Sequence, residues 1–217
     1  AAGLDHRLAT RGTEGVCNII ICENYKQPAA LLRESIEQHA APDTRTWTCA
    51  HLGIAETQVL RSCIEPTPEM KQRDPFALQV QDWWVLPCDG EALRGDPPDI
   101  EGLSLKANFQ NELIRKLYTY NCSNAVIGYL GYLRGHTMLH EAANDPDILA
   151  LAQRAYDETG QALITEFGFD PDEHRAMQQL ALAKYRDERI ADPIERNCRD
   201  ARRKLSRSEE RRVGKEC

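Results

Sequence analysis

The sequence predicts a mixed fold, a short α/β region followed by a mostly helical C-terminal half. Three observations carry this expectation. Cys17–Cys22 (CNIIIC) is a brief β-branched apolar run that reads as a buried strand of parallel type. Prolines then crowd the tract 66–98 around Trp83-Trp84, which suits a strand or two separated by loops. From Phe109 onward helix formers recur at helical spacing, and Asn111–Gly135 contains no proline at all.

Bulk properties narrow the class. A chain of 217 residues can build a sizeable core in one or two domains. A net charge of −7 and a pI near 5.4, with no basic patch interleaved with aromatics, argue against nucleic acid as a partner. No apolar run is long enough to span a bilayer, and the opening AAGLDHRLATRG lacks a signal-peptide core. Eight cysteines are scattered without a CxxC pair or a histidine cluster, so neither a disulfide framework nor a zinc site is expected. The expected compartment is the cytoplasm, and the expected state a monomer or weak dimer.

In chain order, Glu23-Asn24 follow the first strand directly, and Pro28 opens a helix through about Gln38. A polar pair there is commonly a turn, but the carboxyl end of a buried strand is also where open α/β sheets place ligands. Thr46–Ala50 and Val59–Ile64 alternate weakly and are expected as strands. Asn111–Gly135 reads as one long helix, apolar nearly all round and therefore buried. On an ideal helix Asn124 lies about 80° and Asn121 about 140° from Lys116. Helices follow at Thr137–Ala143 and at Ile148–Phe167, the latter closed by Gly168. Asp170 caps the next helix with Pro171 at its first position, and that helix runs to about Arg186. A last helix begins near Asp192-Pro193 and carries Arg196, Arg199, Arg202, Arg203 and Lys204, a pattern usual for a solvated face.

Lys116, Asn121 and Asn124, followed by Tyr129-Leu-Gly-Tyr-Leu-Arg-Gly135, resemble the signature of the polyol-specific long-chain dehydrogenases, the mannitol dehydrogenase family. The resemblance is strongest to its mannitol-1-phosphate 5-dehydrogenase branch. The family pattern is Lys, five further to Asn, three further to His, then Tyr-Leu-Gly. Asn124 stands where the histidine is expected. Cys22-Glu23-Asn24 looks like the family's strand-end Cys-(Asp/Glu)-Asn, and Arg196 and Lys204 keep its eight-residue spacing of substrate cations. Val59-Leu60-Arg61 with Pro66 loosely resembles its Val-Asp-Arg…Pro segment, with Leu60 replacing the acid. The similarity covers roughly Val16–Ser206.

The resemblance implies an α/β remnant of a Rossmann-like domain with connecting strands and loops over 1–98. A mostly α-helical substrate domain over 99–206 would follow it. It implies hydride transfer between NAD, or NADP, and an open-chain polyol or its phosphate, without a metal. Lys116 is then the base, with Arg196 and Lys204 lowering its proton affinity, and Asn24 and Asn121 donate to the developing alkoxide. Asn124, Arg196, Lys204 and Arg61 are the expected substrate contacts, and Glu23 and Asn24 the expected cofactor contacts. The alternatives are a diverged homologue acting on another polyol or sugar acid, or a non-catalytic binding protein. The family's Gly-rich dinucleotide loop lies about a hundred residues before its first matching strand, and no such loop occurs here. Arg207–Cys217 resembles translated sequencing adapter. The chain is thus expected to be a fragment, inactive by itself.

Overall fold

A computed structural model describes residues 1–23, 27–61 and 63–202. The sequence expectations at Asn24, Lys204 and 207–217 lie outside them. The described residues pack as two units that divide between Leu113 and Ile114.

The first unit runs α1 (Ala2–Arg11), β1 (Cys17–Ile21), α2 (Pro28–His39), α3 (Pro42–His51), β2 (Leu52–Glu56), β3 (Cys63–Ile64), α4 (Pro68–Arg73), β4 (Gln79–Val80), β5 (Leu86–Asp89) and β6 (Leu103–Lys106); α5 (Phe109–Lys116) follows and crosses the division. β1 and β2 pair in parallel with Ile19 opposite Ile54, as a strand–helix–strand crossover requires. β5 and β6 are likewise parallel, and Thr57 links the two pairs through Ile21 and Cys88. Ile36, Ala40, Trp47, Leu52 and Ile54 form the core between β1–β2 and their helices. Gly53 lets Asn18 approach β2, where the Asn18 carboxamide brackets Arg94 through both its backbone groups (2.9 and 3.0 Å). Glu56, buried at the end of β2, accepts from the Ala29 N–H in the first turn of α2.

Two local expectations fail here. Thr46–Ala50 is helical, because Pro42 starts α3 and Thr44, Trp47 and Thr48 then share one buried face. Trp47 also donates to the Thr13 carbonyl at 3.0 Å. Within Val59–Ile64 only Cys63–Ile64 is strand, paired antiparallel to β4. Helices α1 and α4 were not legible as such; α4 is capped by Thr67, which accepts from the Met70 N–H, and begins at Pro68.

The second unit continues from α5 into a π-helical turn (Leu117–Asn121), α6 (Cys122–Arg134), α7 (Leu139–Asn144), α8 (Pro146–Phe167), α9 (Pro171–Arg186) and α10 (Ile194–Cys198). Gly135 and Gly168 close α6 and α8 in the left-handed region, at φ 81° and 69°. Asp170 caps α9 by accepting from the N–H groups of Asp172 and Glu173. Asp145 does the same for α8 and also takes Arg134 and His136. Its carboxyl is held at about 2, against burial, by these bonds. The expectation of one uninterrupted, wholly buried helix over Asn111–Gly135 is corrected twice. The π turn interrupts it, and Tyr132 and Leu133 point outward at 63% and 79% exposure. Only one stripe, Ser123, Ile127, Gly128 and Gly131, is buried, because α7, α8 and α10 all pack on that side.

Gly131 sits where α6 meets α7 and α10. A methyl there would lie 2.7 Å from Ile194 Cδ1 and also press on Ala142, whereas at Gly128 the nearest atom is Asn197 Cβ at 3.5 Å. Gly131→Ala is therefore expected to cost about 1–3 kcal/mol by overpacking. Gly128→Ala should be neutral or stabilise by roughly 0.5–1 kcal/mol through helix propensity. Urea unfolding of the two variants checks this; equal stabilities would show that the α6 contact is loose.

Candidate active site

The site grows from a break in helix regularity. The Cys122 N–H reaches back five residues to Leu117 O, as well as to Thr119 O. Such a turn holds one residue more than an α-turn and deprives carbonyls of their usual partners, so it survives where other donors reach them. Here they do. The Tyr185 hydroxyl donates to Tyr120 O at 2.7 Å. Ser123 Oγ donates to Thr119 O at 2.8 Å and accepts from the Tyr156 hydroxyl at 2.8 Å. Burial pushes both phenols to higher proton affinity, so each stays a neutral donor.

The π turn changes which side chains share a face. In an α-helix residues five apart point about 140° away from each other. In a π turn, where the backbone bonds run i to i+5, residues five apart lie closer to one face. Lys116 and Asn121 bracket this turn. Lys116 is half-buried and its proton affinity drops to about 8, first through desolvation and second through the charge of Lys184. Asn121 is exposed, and Asn124 is half-buried one turn further along α6.

Lys184, in the last turn of α9, stands with its Nζ 5.7 Å from the centre of the Tyr120 ring. Burial lowers its proton affinity too; Asp192 opposes that and Arg196 adds to it. Arg196 binds Asp192 through two bonds, Nε to Oδ1 at 2.8 Å and Nη2 to Oδ2 at 2.7 Å. Asn197 donates to the same carboxylate at 2.9 Å. Among the described residues the charge that acts on Lys116 is that of Lys184, on which Arg196 acts in turn; Lys204 lies outside them. A supporting layer fixes the end of α5. Buried Arg115 donates to His174 Nδ1 at 3.2 Å and covers the Phe169 ring at 4.6 Å. Gln178 donates to Tyr156 O at 3.0 Å and faces His174 Nε2 at 3.2 Å. Desolvation and then Arg115 lower the His174 proton affinity, which keeps the ring neutral.

The segment that carries the π turn is similar to a known domain. Residues 110–213 match the mannitol dehydrogenase C-terminal domain family. Among solved structures, the Pseudomonas fluorescens mannitol 2-dehydrogenase in its ternary complex with NAD and D-mannitol matches 91% of this chain at 21% identity, with a TM-score of 0.66. A substrate-free D-sorbitol dehydrogenase matches 93% at 16% identity, with a TM-score of 0.76. At such identities the likeness is one of fold. This chain spans 42% and 43% of those two chains.

The structure brings Lys116, Asn121, Asn124, Lys184 and Arg196 into the second unit, while Glu23 and Arg61 belong to the first. Glu23 is exposed just past β1, and the Arg61 guanidinium donates to the Trp83 carbonyl. Among the described residues no three His, Cys, Asp or Glu side chains form a metal-binding group, and no helix is long and apolar enough to cross a membrane. Lys184, Tyr185, Tyr156 and Ser123 escaped the sequence reading. A lysine–tyrosine pair in the last turn of a polar helix carries no local signal of the turn it faces.

Removing the Tyr185 hydroxyl tests the bond that holds the turn. Tyr185→Phe leaves Tyr120 O without its phenol donor, and a loss of about 1–3 kcal/mol is expected in chemical denaturation. A loss of a few tenths would mean that the phenol does not support the π turn.

Proposed function

We propose that this chain forms the polyol-binding half of a nicotinamide-dependent oxidoreductase, one that moves a hydride between a nicotinamide and a hydroxyl-bearing carbon of an open-chain polyol. The observation that carries this reading is Lys116. It is a half-buried amine with a proton affinity of about 8 at one end of a π turn whose other end is Asn121. It lies in a segment that matches the mannitol dehydrogenase C-terminal domain. The ternary complex of the Pseudomonas fluorescens enzyme with NAD and D-mannitol supports both reactant classes. Within this reading the substrate is mannitol or mannitol 1-phosphate, with fructose or fructose 6-phosphate as the ketone, and the Rossmann-like remnant is the β1–α2–α3–β2 crossover.

When bound, the nicotinamide supplies the hydride acceptor. A cradle for its pyrophosphate does not appear among the described residues: the Ala29 N–H of α2 already faces the Glu56 carboxylate, which would repel a phosphate. Within this reading most of the named residues act on the polyol. Neutral Lys116 takes the hydroxyl proton, so the reacting oxygen gains negative charge as the C–H bond breaks. Asn121 donates its side-chain N–H to that oxygen, and the family resemblance assigns Asn24 the same role; donors of this kind contribute about 2.7–4 kcal/mol each. Asn124 adds a donor but carries no proton at neutral pH. The family resemblance adds Arg196, Lys204 and Arg61 as further substrate contacts and Glu23 as a cofactor contact.

Asn124 also favours a second reading, a site rebuilt for a different polyol or a sugar acid, because a titratable histidine would be the simpler choice for mannitol chemistry. The test uses a protein that joins this chain to a nicotinamide-binding domain. Lys116→Ala should lower polyol-dependent turnover by at least about 10²-fold. The wild-type kcat/KM should rise with pH through about 8 as Lys116 loses its proton. Asn124→His should keep or raise mannitol oxidation; a fall would favour the rebuilt site. An unchanged rate in Lys116→Ala would remove the active site from this helix.

A further inference from the structure

Arg196 is expected to meet the polyol, yet the structure gives it a partner within the chain. Its Nε donates to Asp192 Oδ1 at 2.8 Å and its Nη2 to Asp192 Oδ2 at 2.7 Å. Two parallel bonds of this kind fix the plane of a guanidinium as well as its distance. The two members of the pair differ in exposure: the Asp192 side chain is 11% exposed and that of Arg196 60%. The carboxylate is the anchored member, and the guanidinium the open one.

Asp192 is held from several sides. Its carbonyl accepts from Leu139 N at 2.9 Å, and Asn197 Nδ2 donates to its Oδ1 at 2.9 Å. Pro193, the next residue, bridges Met138 at the start of α7. α10 then packs on α6 at Gly128, where a Cβ would lie 3.5 Å from Asn197 Cβ and where Cys198 Sγ donates to the carbonyl at 3.4 Å. Gly128 lies four residues beyond Asn124, on the same face of α6. The helix that carries Arg196 thus runs along the row that carries Asn124.

A guanidinium has five N–H groups. Asp192 takes two of them, one on Nε and one on Nη2, which is the edge that grips a phosphate or carboxylate side-on. The three that remain, on Nη1 and Nη2, can still donate to hydroxyl oxygens. Their charge is already answered by the carboxylate, and salt screens a partly buried pair only weakly. A second anion at this end would compete with Asp192 for the same charge.

We propose that Asp192 is a specificity-determining residue that acts through Arg196: it fixes the guanidinium and offsets its charge, so that the site takes an uncharged polyol in preference to a polyol phosphate or a sugar acid. The proposal rests on the reading of Arg196 as a substrate contact, and within that reading it selects mannitol over mannitol 1-phosphate.

In a protein that joins this chain to a nicotinamide-binding domain, kcat/KM for mannitol should exceed that for mannitol 1-phosphate by at least about tenfold. This comparison needs no variant. Asp192→Asn keeps the shape and one acceptor oxygen but removes the charge, and it should lower that ratio by about tenfold. In an Arg196→Gln background the same change should leave the ratio in place, because the charge that Asp192 offsets is gone. A wild-type preference for the phosphate would overturn the proposal. So would an equal fall for both substrates in Asp192→Asn, which is what a merely structural role gives. A second measurement does without turnover. In the 217-residue chain, inorganic phosphate is titrated against the Arg196 Nε–H signal in NMR, assigned by its loss in Arg196→Gln. Phosphate should move that signal in Asp192→Asn at concentrations about tenfold below those needed in the wild type, and equal sensitivity would overturn the proposal. If the phosphate response appears but the substrate ratio does not move, the pairing stands; the reading of Arg196 as a substrate contact then falls, and the specificity with it.

Discussion

The hydrogen bond from the Tyr185 hydroxyl to the Tyr120 carbonyl is the constraint on which the second unit turns. A π turn in an α-helix leaves carbonyls without their normal donors, and in a buried setting each unmet group costs about 1–3 kcal/mol. Tyr185 from α9, and Tyr156 acting through Ser123, bring side-chain donors to that stretch of backbone. The turn in this way depends on tertiary contacts from α8 and α9. In return Lys116 and Asn121 stand at the two ends of the turn, and the residue next to Tyr185, Lys184, stands with its Nζ over the Tyr120 ring.

The packing around α6 serves the same end. Gly131 allows α7 and α10 to approach, and the strand-like bridge between Met138 and Pro193 joins the start of α7 to the start of α10. Asp192 lies at that junction, with its backbone carbonyl accepting from Leu139 N and its carboxylate from Arg196 and Asn197. The charge balance around Lys184 is accordingly tied to the helix packing: displacing α10 would move Asp192 and Arg196 together. Arg115, locked on His174 and Phe169, fixes the approach of α5 from the other direction.

Much of this fold was legible in the sequence because its signals are local. Gly135, Gly168 and Asp170-Pro171 mark helix ends by backbone preference alone, and the structure places caps at each. Parallel β1 was legible from CNIII, since β-branched residues suit a buried strand. Thr46–Ala50 misled because Thr, Trp and Cys favour strands, while Pro42 and the spacing of Thr44, Trp47 and Thr48 favour a helix, and burial decided for the helix. The π turn had no local mark. Its donors are 33 and 65 residues away from the groups they meet. Lys184 was hidden for a related reason: on a helix with many polar residues, one lysine looks like any other until its neighbour is seen to be buried.

A crystal structure of the chain grown with D-mannitol would test this arrangement most directly. The expected result is a π turn at Leu117–Asn121 and a polyol hydroxyl within hydrogen-bond distance of both Lys116 Nζ and the Asn121 carboxamide. A continuous α-helix through these residues, or a polyol bound away from both side chains, would contradict it.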